Sequence, residues 1–152
     1  MQIRTFVIED GDAVEQLWEE LFPGGSSHNE PRRVIRDKLA VQKELFFVAE
    51  DNGAIIGTIM SGYDGHRGWL YAVAVKPAFQ RKGVGRRLVD HAVSALSNLG
   101  CPKVNLQVRS TNADVVDFYT AIGFSIEERI SMGKRLSDEW ASDASGRAGP
   151  TA

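Results

Sequence analysis

The chain has a single cysteine among its 152 residues, Cys101. That excludes an internal disulfide and a cysteine-rich metal site, and a reducing cytosol is the natural compartment. Long apolar runs are also missing. No stretch approaches the roughly 20 residues that a membrane-spanning helix needs, so no membrane role is expected. The opening "MQIRTFVIED" has no long apolar core and no small-residue cleavage site, and so does not resemble a signal peptide. Excess positive charge is absent too. The formal net charge is −2, which argues against general nucleic-acid binding. No His/Cys/Asp/Glu spacing suits a metal. What remains is an ordinary globular composition, 43% apolar and 25% charged, with length for one well-cored domain.

Hydrophobic periodicity gives the order of elements. "QIRTFVI" reads as a strand, and "DGDAVEQLWEELF" as a helix with Val14, Leu17, Trp18 and Leu21 on one stripe. "PGGSSHNEP" is a loop by composition, and "RRVIRDKLAVQK" a weaker helix. "ELFFVAE" and "AIIGTIMSGY" flank Asn52-Gly53, a strong hairpin signal because both turn residues need positive φ. After the turn "DGHRG", the strand "WLYAVAV" is apolar on both faces, as a fully covered central strand is. A helix from Gly83 to Leu99 follows, with Gly100 near its C-cap, then the strand "KVNLQV". "TNADVVDFYTAI" is a helix with Asn112 at or near the N-cap, stopped by Gly123. "FSIEERISMGKRL" gives a last strand or hairpin, and residues 137–152 a loosely structured tail. The fold class expected is α/β: one domain over residues 1–136, with a mixed, mostly antiparallel sheet. Helices cover both faces, and "WLYAVAV" and "KVNLQV" form a parallel pair joined by a right-handed crossover.

One stretch conflicts with the charge preferences of a helix. In "QRKGVGRR" the cations Arg81, Lys82, Arg86 and Arg87 surround Gly83 and Gly85 where a helix begins. Helix N-termini already carry partial positive charge, so cations there are unfavourable unless an anion sits among them. Glycines at such a turn let a ligand approach the backbone. The P-loop pattern is absent, and so is G-x-G-x-x-G, because Leu88 stands where the third glycine belongs. Read alone, the stretch fits a phosphate site or a bare basic helix end equally well.

"QRKGVG" is similar to the Q/R-x-x-G-x-G/A pyrophosphate loop of the GCN5-related N-acetyltransferases (GNAT). Further on, "NADVVDFYTAIGF" resembles the second signature of that family, an Asn followed seven positions later by Tyr and then by Gly-Phe. The spacing from Pro77 and Gln80 to Asn112, Tyr119 and Gly123-Phe124 agrees as well, and the element order agrees over residues 2–136. "GYDGHRG" is similar to a segment of one bacterial branch. The resemblance implies the GNAT fold, with its parallel strand pair splayed around the cofactor. Acetyl-CoA is the implied co-substrate, held by backbone groups of Val73, Ala74 and Val75, by the loop Gln80, Arg81, Lys82, Gly83, Val84, Gly85 and Arg86, and by Asn112. Tyr119 is implied as the general acid that protonates the departing CoA thiolate. Read from the helix alone, Tyr119 also shares a packing stripe with Val115 and Ile122.

The family's known bases do not carry over. One branch uses a Glu on the fifth strand, where this chain has Gln107; another uses a Glu on the fourth, where it has Trp69. Asp64 and His66, in the turn before "WLYAVAV", are the remaining acceptor-side groups able to take a proton, although Asp and Gly also favour turns in their own right. His28 and His91 read as solvated and structural, respectively. The expected function is acetyl transfer from acetyl-CoA to a small-molecule amine or a peptide, by direct transfer in a ternary complex. A longer acyl-CoA donor, or a CoA-binding regulatory module with lost catalysis, stays open, as does a homodimer.

Overall fold

The computed structural model describes residues 1–23 and 30–136. His28 and the tail expected from residue 137 lie outside them. The chain forms two compact units, Met1–Leu106 and Gln107–Ala152.

The first unit is built on one five-stranded sheet in the order β1-β2-β3-β4-β5. The strands are β1 (Gln2–Thr5), β2 (Phe46–Asp51), β3 (Ala54–Tyr63), β4 (Gly68–Val75) and β5 (Val104–Asn105). β1 through β4 pair antiparallel, and β4 pairs with β5 in parallel. The hairpin between β2 and β3 turns at Asn52 and Gly53, with φ of 49° and 79°, as the Asn-Gly pair requires. Among the described residues three α-helices belong to this unit: α1 (Gly11–Leu21), α2 (Pro31–Leu39) and α3 (Val84–Asn98).

The helices cover opposite faces. Gly57 and Thr58 are neighbours on β3 and so point to opposite sides. The Thr58 hydroxyl meets the Trp18 indole of α1, whereas a Cβ built on Gly57 would lie 2.9 Å from Leu88 Cδ1 of α3. On the α1 side, Phe6 stacks on Phe46 with ring centroids 4.4 Å apart, and Val14, Leu17, Trp18, Ile35, Val48 and Ala74 complete the cluster. On the α3 side Leu88, Ala92 and Leu96 are fully buried, and His91 packs edge-on against Phe47. At the sheet edge Arg4 holds the buried Asp10 with two hydrogen bonds, which keeps that carboxyl below the usual carboxylate range.

Two features of β4 depart from expectation. It is not covered along its length, since Tyr71 is 51% exposed. Its partner β5 is also much shorter than "KVNLQV", pairing only Gly68 with Val104 and Trp69 with Asn105. From Leu70 to Val75 the β5-facing edge of β4 therefore has no strand partner among the described residues. The parallel pair is joined at one end and open beyond it.

The second unit holds α4 (Ala113–Ala121), ended by Gly123 at φ 103°. The strand or hairpin expected from "FSIEERISMGKRL" does not form. Residues 124–136 have no regular structure, and Ile126, Ile130, Met132 and Leu136 are 80–91% exposed. Apolar alternation favours a strand only where a neighbouring strand takes up its backbone groups, and among the described residues this segment pairs with none.

Candidate active site

β4 ends at Val75, and the chain reaches α3 through a short loop. Pro77–Phe79 form one tight turn; Gln80 is then extended, Arg81 is left-handed at φ 62°, and Gly83 is left-handed at φ 83° as the N-cap. A left-handed arginine is costly, by about 1 kcal/mol, so the loop conformation is imposed by its context. Part of that context is Gln80, whose side-chain amide donates to Val75 O at 2.9 Å and ties the loop to the strand end. The other anchor is Val84, buried beside the Gly57 position.

The first turn of α3 contains no acidic residue, and Gly83 supplies no side-chain cap. The leading N–H groups of the helix therefore have no intrahelical acceptor and no cap. Around them Arg81, Lys82, Arg86 and Arg87 are exposed. Among the described residues Arg86 makes a 3.8 Å contact with Asp90, itself solvent-exposed, and such a pair holds a side chain weakly. Lys82 Nζ lies 5.7 Å from the Phe79 ring centroid. Uncapped amides and exposed cations at one helix end are an arrangement whose charge favours an anion such as a phosphate.

Alongside the loop runs the unpaired edge of β4. Val73 and Val75 are partly buried and Ala74 is buried. Pairing with β3 is irregular here: Thr58 opposes Ala74 while Met60 opposes Tyr71, so Ile59 faces both Ala72 and Val73. This bulge puts Ala72 at φ 50°.

The turn bearing Asp64 and His66 is at the other end of β4. Asp64 Oδ1 accepts from the backbone N–H groups of Arg67 and His66, each at 2.7 Å. Those two bonds hold the carboxyl below its ordinary range. The four residue-to-residue steps from Gly68 to Ala72 span about 13 Å at ~3.3 Å each, so the turn and the bulge are not within contact of one another.

Within the second unit, Asn112 is the N-cap of α4 by position, but its side chain makes no capping bond and is exposed. Tyr119 is buried on the same helix, edge-on to Phe118 and Phe124 at centroid distances of 4.9 and 5.5 Å. Burial pushes its phenol up to about 12. Gln107 donates to Ser131 Oγ at 2.6 Å. Trp69 is partly buried on β4, in the first unit.

Sequence reading missed the polar contact behind the bulge. Trp18 Nε1 donates to Thr58 Oγ1 at 2.9 Å, and Thr58 Oγ1 donates to Ala72 O at 2.9 Å. The one available signal was Thr58 itself, a polar residue inside the apolar run "AIIGTIM". Lys38 was missed as well. Its ammonium donates to Ser61 O at 2.6 Å, and desolvation pushes its pKa down.

The description "Acetyltransferase (GNAT) family" matches residues 11–124. An acetyltransferase of Pectobacterium atrosepticum is 39% identical over 142 residues, covering 91% of this chain and 98% of that protein. A protein of Yersinia pestis described as an uncharacterized N-acetyltransferase is 40% identical, covering 90% and 96%. Among solved structures, Ard1 from Thermoplasma volcanium superposes with a TM-score of 0.74 at 27% identity, covering 83% of each chain.

Proposed function

The chain belongs to the acetyltransferase (GNAT) family, and on that premise we propose that it transfers the acetyl group of acetyl-CoA directly to an amine acceptor within a ternary complex. The observation that carries the reading is the junction of β4 and α3. There an open strand edge leads straight into an uncapped, cation-rich helix N-terminus. The pantetheine arm of CoA is amide-rich and extended, so it suits an unpaired strand edge. Its pyrophosphate suits the loop.

In this reading backbone groups of Val73, Ala74 and Val75 take the arm and the acyl group. The amides and cations from Arg81 to Arg86 take the pyrophosphate. Gln80 supports the loop from behind, because its amide is committed to Val75 O. Asn112 contributes to the cofactor arm. The acceptor amine, in its neutral form, attacks the thioester carbon. The carbonyl oxygen gains charge and is stabilised by a β4 backbone N–H. Collapse of the tetrahedral intermediate breaks the C–S bond, and the CoA thiolate takes a proton from the Tyr119 hydroxyl. The ammonium proton of the acceptor passes to solvent, and Tyr119 is reprotonated from water.

The test is release of free CoA thiol from acetyl-CoA against a panel of small amines, amino acids and peptides. At least one acceptor is expected to raise thiol release well above hydrolysis. A panel with no response, from protein that binds acetyl-CoA, overturns direct transfer to amines.

Removal of the acceptor's proton is expected to proceed without the Asp64 turn, given the strand length between them and the bonds that occupy Asp64. Asp64→Asn keeps the turn acceptor and removes the charge; His66→Ala removes the imidazole. Both variants should keep kcat/KM within about twofold of wild type, with the same pH profile. A pH inflection present in wild type and lost in His66→Ala would place that ring on the proton path through bridging water.

A further inference from the structure

We propose that Trp18 and Thr58 are positioning residues for acetyl transfer: their hydrogen-bonded chain clamps the β4 bulge at Ala72 and so sets which way the backbone from Val73 to Val75 presents its groups. The inference rests on the cofactor reading above and adds two residues that the reading did not use.

The bulge has a definite consequence for register. Tyr71 opposes Met60 and Ala74 opposes Thr58, and these partners lie on the α1 side of the sheet. In a regular strand, residues three apart point to opposite faces. Tyr71 and Ala74 share one face because the bulge inserts a residue between them. Without it, every side chain from Val73 onward would change faces, and the carbonyl and N–H groups of that segment would be re-aimed with them.

Holding the bulge requires work against local preference. Ala72 sits at φ 50°, in the middle of a strand, whereas the other left-handed non-glycine residues among those described, Gln42, Asn52 and Arg81, lie in turns and loops. Alanine has no side-chain polar group to stabilise that conformation, so the support must come from elsewhere. It comes from Thr58. The hydroxyl has one proton, the indole N–H is only a donor and the carbonyl only an acceptor, so the direction of the chain is fixed as Trp18 to Thr58 to Ala72. Thr58 is fully buried and Trp18 is 3% exposed, so the bond between them is shielded from water, and the bond from Thr58 to Ala72 is partly buried. Valine has the same shape as threonine and avoids burying a hydroxyl among the apolar side chains of this face. The hydroxyl has a use there because it fixes a carbonyl at the site where regular pairing is interrupted.

The experiment measures binding of two probes to the full chain by calorimetry. One is acetyl-CoA. The other is adenosine 3′-phosphate 5′-diphosphate, the part of the cofactor that lacks the pantetheine arm and the acyl group. Thr58→Val should raise the Kd of acetyl-CoA about tenfold, the effect of one lost hydrogen-bonded alignment. It should leave the Kd of the diphosphate fragment within about twofold. Thr58→Ser restores the hydroxyl and should restore acetyl-CoA binding. If Thr58→Val does not fold, Trp18→Phe removes the N–H, keeps an aromatic ring, and should weaken acetyl-CoA selectively by about threefold. Equal loss of both probes, or unchanged acetyl-CoA affinity in the folded variant, overturns the positioning role. Wild-type protein that binds neither probe overturns instead the cofactor reading beneath it.

Discussion

Acetyl-CoA at about one hundred times its Kd should raise the melting temperature of the wild-type chain by about 5–10 °C, and Gly85→Val should abolish that rise. Ligand that binds only the folded state stabilises it by mass action, so the shift reports occupancy without an acceptor being known. Gly85 is the better probe of the two loop glycines. Gly83 is left-handed at φ 83°, so a side chain there would strain the backbone and confuse lost binding with lost stability. Gly85 lies inside the first turn of α3, where the conformation is helical. Valine tolerates a helix slightly better than glycine does, so the free variant should melt at or above the wild-type temperature. What changes is access: a branched side chain stands beside the uncapped amides and keeps a phosphate at a distance. Thermal melts of both proteins with and without acetyl-CoA check this. An equal rise in both would remove the loop from the binding site.

The parts of this molecule that the sequence made legible are those set by local chemistry. The Asn52-Gly53 hairpin announces itself because few residue pairs accept two positive φ values in succession, and the boundaries of β3 at Ala54 and Tyr63 follow from it. The helix after "QRKGVG" was readable from apolar spacing alone and runs over Val84–Asn98. The parts not legible depend on distant partners. Whether "KVNLQV" extends beyond Val104–Asn105, or "FSIEERISMGKRL" pairs at all, is decided by a neighbouring strand and not by its own alternation. β4 was read as covered on both faces because it is apolar, yet Tyr71 is half exposed. At the site, the loop was legible because its cations contradict the helix dipole. The bulge was not, since nothing about an alanine signals a left-handed backbone, and its support comes from Trp18, forty positions before Thr58. Local rules therefore sufficed to single out the cation-rich loop proposed for the phosphates, while the strand segment proposed for the acyl group depends on contacts that only the folded sheet creates.

Tyr119→Phe should lower kcat by about a hundredfold or more, the usual scale for loss of a general acid, with acetyl-CoA affinity little changed. The hydroxyl is the only group removed. The ring keeps its edge-on contacts with Phe118 and Phe124, so packing within α4 and its C-terminal turn is preserved. A buried phenol ordinarily finds a hydrogen-bond partner. This one has none among the described residues. Burial pushes it up to about 12, from the ordinary phenol value of 10.0, by disfavouring the phenolate. The proton therefore stays on through neutral pH, as a general acid requires, although the raised value makes the phenol a weaker donor than a free one. It also sets the pH behaviour. Because the folded value is raised, the stability contributed by neutral Tyr119 is fully present below pH 10 and is lost as pH rises towards 12. No loss of kcat from Tyr119 ionisation is expected between pH 6 and about 9. Tyr119→Phe should therefore be slow across that whole range, with the deficit constant in pH. The check is a kcat profile for both proteins, with an acceptor from the amine panel, under conditions where the chemical step limits turnover. An unchanged kcat in Tyr119→Phe would assign the ring to packing alone, and a deficit that disappears at low pH would show that another acid supplies the proton.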